Sequence, residues 1–119
     1  MKNNGISEIE YKGKNYKLAF NMNVIETLQE KYGSFNKWCE LIQPNEPGGE
    51  SNIEALKFAF TEALNEAIDI ENDENGTDEK PLTTKQVGRM ITDLGIQEAN
   101  VKLQEVVIES SKGDEEKNV

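Results

Sequence analysis

The sequence predicts an α+β fold, mostly helical, with an N-terminal β-hairpin packed on a small bundle of about five helices. Three observations point to it. Ile9, Tyr11, Tyr16, Leu18 and Phe20 alternate with polar residues around Lys12-Gly13-Lys14, the period-2 signature of strands with one buried face. Four later segments repeat apolar residues at helical spacing, and each opens on a side chain able to cap a helix. Gly33 and Gly95 stand where two of those segments should stop.

The elements follow in order. Residues 1–7 read as frayed and 8–20 as the hairpin. Asn23 is expected to cap a first helix over 23–32, with Glu26 in capping-box spacing and Val24, Ile25, Leu28 and Tyr32 on one face. Ser34 opens a short second helix whose apolar face is Phe35, Trp38, Cys39, Leu41 and Ile42. Residues 43–50 form a loop, because Pro44, Pro47, Gly48 and Gly49 prevent helix continuation. Ser51 and Glu54 make another capping-box pair for the longest helix, 52–68, striped by Ile53, Leu56, Phe60, Ala63, Leu64, Ala67 and Ile68.

Residues 69–80 hold six carboxylates and one lysine, −5 in all, which is half of the chain's net charge of −10. Such a stretch buries almost nothing and reads as a mobile acidic loop. Thr83 with Gln86 then starts a helix bearing Val87, Met90, Ile91 and Leu94. A final helix over 96–111 carries Ile96, Ala99, Leu103, Val106 and Val107, and 112–119 reads as a disordered tail. At 119 residues the chain is read as one domain spanning 8–111.

Composition narrows the function. Thirteen basic against twenty-three acidic residues would repel phosphates, so no nucleic-acid partner is expected. No apolar run nears the roughly 20 residues of a membrane span, and no signal-peptide core is seen near residue 1. The expectation is a soluble cytoplasmic protein with no membrane partner. The single cysteine precludes an internal disulfide and fits a reducing compartment.

Catalysis finds few residues to work with. With no histidine, the commonest general base and a frequent zinc ligand are missing. Cys39 lacks a histidine to activate it and reads as a packing residue between helices. The acidic stretch can be laid on a calcium loop with Gly76 at the sixth position and Glu71, Asp73 and Asn75 as ligands. The twelfth position, where a bidentate glutamate closes the site, is then Leu82, so the stretch reads as solvated linker. No catalytic, cofactor or metal site is expected.

Three residues stand outside the apolar stripes. Val101 and Ile108, seven apart, point roughly opposite the main stripe of the last helix, as a seam for a partner or as a second buried side. Phe58 projects from the long helix among Glu54, Thr61, Glu62 and Asn65, as a lone exposed aromatic able to anchor a partner.

The order of four segments carries a resemblance. "YKGKNYKL" from Tyr11, "LQEKYGS" ending at Ser34, "FAFTEALNEA" from Phe58 and "LTTKQVGRMI" from Leu82 together resemble the phage tail assembly chaperones of Gram-positive siphophages and prophages. Leu82, Thr83, Val87 and Gly88 match the helix start that recurs late in that family. Gln29 stands where a glutamate is frequent, and the acidic stretch after Ile68 is longer than in the family pattern. The resemblance implies a non-enzymatic morphogenesis factor. Such proteins coat the tape-measure protein, keep it soluble, and are absent from the mature virion. A frameshifted longer form often recruits tail-tube protein. Self-association is open, as are two alternatives: an acidic inhibitor or DNA mimic, and a structural head or tail component.

Overall fold

The computed structural model describes residues 6–43 and 48–117, with side chains described as far as Ser110. Two strands and five helices follow one another: β1 (Ile6–Tyr11), β2 (Lys14–Ala19), α1 (Met22–Tyr32), α2 (Phe35–Ile42), α3 (Ile53–Asn75), α4 (Thr84–Leu94) and α5 (Ile96–Lys117). This is the predicted α+β architecture, a hairpin on a five-helix bundle. Residues 1–5, 44–47 and 118–119, parts of the frayed start, the loop and the tail of the sequence reading, lie outside the described residues.

The strands pair antiparallel, with Ile9 opposite Tyr16 and Ser7 opposite Leu18. Those pairs share the face that meets the helices, where Ile9 and Leu18 are buried. Lys12 and Gly13 form the two-residue turn, with φ of 51° and 78°. Positive φ at both positions matches the right-handed twist of the flanking strands. Helix α3 packs against β2, α1, α2 and α4, while α5 lies on β1 and α4. An aromatic wedge closes the other end of the core. Trp38 lies 5.9 Å from Phe20 and 5.5 Å from Phe35 between ring centroids, and its Nε1 donates to the Ala55 carbonyl at 3.2 Å.

Several expected boundaries move. Ile6 and Ser7 are not frayed, because they pair across the hairpin with Ala19 and Leu18. The first helix is capped by Asn21, whose Oδ1 accepts from the Asn23 and Val24 amides at 3.1 and 3.3 Å. Asn23 is thus inside the helix, and its Nδ2 donates to Glu66 at 3.0 Å instead. Likewise Asn52, not Ser51, caps α3 by accepting from the Ala55 amide at 2.9 Å. Ser51 bridges two other helices: its hydroxyl donates to the Ile42 carbonyl and accepts from Asn100 Nδ2. Ser34 caps α2, and Thr83 with Gln86 forms a reciprocal capping box on α4.

Both long helices outrun their apolar stripes. α3 continues through Asn75, so seven residues of the supposed acidic loop are helical, and Gly76 ends it in the left-handed conformation. α5 continues to Lys117, so the backbone of 112–117 is helical, not a disordered tail. Glutamates and lysines propagate a helix without any apolar stripe, once packing has nucleated it. Conversely, Ile53 and Ile96 occupy the first positions of α3 and α5, beyond the core, and remain 52 % and 47 % exposed.

Candidate functional site

The outer face of α5 carries two of the exposed large apolar residues of the chain. Ala99, Leu103 and Val106 are buried against the bundle, which fixes the roll of the helix. Val101 and Ile108 are thereby turned outward, 51 % and 50 % exposed. Two helical turns separate them, roughly 10 Å along the axis. Exposed Glu98 and Glu105 fall at positions three before and four after Val101, so acid and apolar residues alternate along one stripe. Beside Ile108 a shallow groove of about 240 Å³ runs to Ile6 and Ser7 of β1, with Glu105 and Glu109 on its rim. An apolar seam edged by carboxylates suits an amphipathic helix whose own apolar stripe is flanked by basic residues.

Phe58 has a different setting from the one its position suggested. It is half-buried and meets Tyr32 edge-on at 6.0 Å, with Lys31 Nζ 4.8 Å from its ring centroid. Tyr32 also donates to Glu54 at 2.8 Å, and Lys31 pairs with Glu54 at 3.3 Å. Burial first, then the Glu54 hydrogen bond, pushes the Tyr32 phenol well above its ordinary range. Phe58 therefore joins α1 to α3, and the structure does not bring it together with Val101 and Ile108.

The acidic segment is tied down at two levels. Asn72 Oδ1 accepts from the Glu79 amide and its Nδ2 donates to the Glu79 carbonyl, each at 3.0 Å. Two helical turns earlier, Asn65 treats Leu82 the same way, at 2.8 and 3.0 Å. Lys14 and Lys17 of β2 add ion pairs to Glu79 and Glu71 at 2.9 and 3.3 Å. These pairs are exposed and contribute at most about 1 kcal/mol each. The chain between α3 and α4 is thus clasped to α3 by asparagines.

The chain's one thiol sits where its ionisation is suppressed. Cys39 is half-buried, and burial, followed by the charge of Glu40, raises its thiol above the ordinary value. A thiol so shifted is a poor nucleophile. Among the described residues no three His, Cys, Asp or Glu side chains gather as a metal site. The structure does assemble one cleft that the sequence reading missed. Tyr11 and Tyr16 of the hairpin face Gln86, Arg89 and Asp93 of α4 across a volume of about 390 Å³. Tyr11 and Asp93 are 82 positions apart and have no local spacing signal to betray them.

Comparison with protein-family models, curated proteins and solved structures found no match to this chain. Among the described residues no helix is long and apolar enough to cross a membrane.

Proposed function

We propose that this chain is a phage or prophage tail assembly chaperone, a non-enzymatic cover for the tape-measure protein that helps bring tail-tube subunits to it. One observation carries the reading: the outward stripe of Glu98, Val101, Glu105 and Ile108 on α5. A long helical partner exposes apolar stripes that aggregate when bare. A small acidic domain with a two-residue apolar seam binds each stretch weakly, and many copies along one scaffold bind through avidity. The net charge of −10 keeps those copies soluble and apart from nucleic acid. The order of the four segments that resemble the chaperone family supports the same reading, with the host cytoplasm as its compartment.

The test is co-expression with a phage tape-measure protein, a long coiled-coil chain, followed by affinity capture and a solubility assay. Capture of that partner together with its rescue into the soluble fraction is the expected result. Failure of both, with this chain folded, sinks the proposal. Finding the chain in purified virions instead makes it a structural component.

A further inference from the structure

The cleft between the hairpin and α4 has the chemistry of a second binding site, away from α5. Arg89 is the only arginine in the chain, and it lines the cleft without an ion pair or hydrogen bond among the described residues. Asp93, one turn on and lining the same cleft, accepts the Tyr11 hydroxyl on Oδ2 at 2.7 Å and makes no ion pair with Arg89 among the described residues. Lys12 adds a second cation at the rim, held by the hairpin turn with its Nζ 5.5 Å from the Tyr11 ring centroid. Gln86 spends its Oε1 on the Thr83 amide, at 2.8 Å, which leaves the Nε2 donor without a partner among the described residues. Below these groups the walls are apolar, formed by Tyr16, Leu82 and Met90.

We propose that this cleft binds an acidic peptide segment of a partner protein. One carboxylate meets Arg89 and the Gln86 amide, and the apolar residue beside it settles on Tyr16 and Met90. A planar guanidinium with two unspent donor edges matches a carboxylate fork. A cation-bearing cleft on a chain of net charge −10 also selects against a long polyanion, since the rest of the surface repels one.

The experiment is an amide-resolved NMR titration of the full chain with three probes. The first is an acetylated seven-residue peptide alternating glutamate and leucine, the second its glutamine counterpart, and the third an eight-nucleotide oligo-dT. The glutamate peptide should shift the amides of Tyr16, Gln86 and Arg89, while the glutamine peptide leaves them in place. Arg89→Gln lies on an exposed helix face and should weaken the glutamate peptide about tenfold or more, with the melting temperature unchanged. The inference falls if the glutamate peptide shifts nothing at the cleft at millimolar concentration. It falls equally if both peptides bind alike, if Arg89→Gln binds as the parent does, or if oligo-dT binds more tightly.

Discussion

The side-chain amide of Asn65 pairs with both backbone groups of Leu82, accepting from its N–H at 2.8 Å and donating to its carbonyl at 3.0 Å. One residue of helix thus does for the returning chain what a neighbouring strand would do. Asn65→Ala strands two partly buried backbone groups, and removing a partner from such groups costs about 1–3 kcal/mol. Urea unfolding should register that loss, and hydrogen exchange at the Leu82 amide should quicken. The exposed counterpart Asn72→Ala should cost less than half as much.

Placing charges on the outer face of α5 separates binding from folding. Val101→Glu with Ile108→Glu should leave the melting temperature within a few degrees of the parent, because both side chains are half exposed. If the proposed function holds, the same double variant should lose capture of the tape-measure protein. Unfolding of the variant would place those two residues in the core instead.

Glu62 gives the stability a pH dependence opposite to that of most carboxylates. Burial, then the neighbouring Glu66, raises its pKa. A raised folded-state value means that the native state holds the proton more tightly than the unfolded chain, so ionisation costs stability as pH rises. Glu62→Gln should therefore raise the melting temperature by about 1–3 °C at pH 7, a small gain because the group is mostly solvated. The advantage should shrink as pH falls into the carboxylate range, which calorimetry at several pH values will read.

Two glycines should respond with opposite signs. Gly88 is mid-helix, and a Cβ there meets only the Lys57 side chain, at 3.3 Å from Cδ. That flexible stem can shift, so Gly88→Ala should stabilise by about 0.5–1 kcal/mol through helix propensity. Gly95 has a φ of 95°, which strains any side chain, so Gly95→Ala should destabilise by about 1 kcal/mol or more. Chemical denaturation of both variants checks the pair.

Cys39 should react slowly. Its thiol is raised by burial and by Glu40, so a disulfide reagent at pH 8 should modify it several-fold more slowly in the native protein than in urea.

What was legible in the sequence was local. Ser34, Thr83 with Gln86, Gly33 and Gly95 do what their types and neighbours dictate, because a cap needs only the turn it closes. Where two capping residues stood side by side, at Ser51 and Asn52, a tertiary contact chose between them. The seam between α2 and α5 drew Ser51 and left the cap to Asn52, whereas Asn21 and Asn23 both donate to Glu66 and only Asn21 also turns its Oδ1 to the helix amides. The ends of α3 and α5 were illegible because charged helix carries no apolar period. Of the candidate surfaces, Val101 and Ile108 showed in the spacing, since a helix repeats itself. Phe58 found its partners Lys31 and Tyr32 on another helix, and the Tyr11–Arg89 cleft exists only after the hairpin folds back on α4.

The wedge formed by Trp38 has a practical consequence. It is the chain's single tryptophan, so all indole emission comes from one place. That place is 1 % exposed and touches the residue after β2, the start of α2 and the backbone of α3 together. Its wavelength therefore reports on three joints at once, shifting red when any of them admits water. A fluorimeter can thus follow the opening of the fold from a single native site, with no label attached.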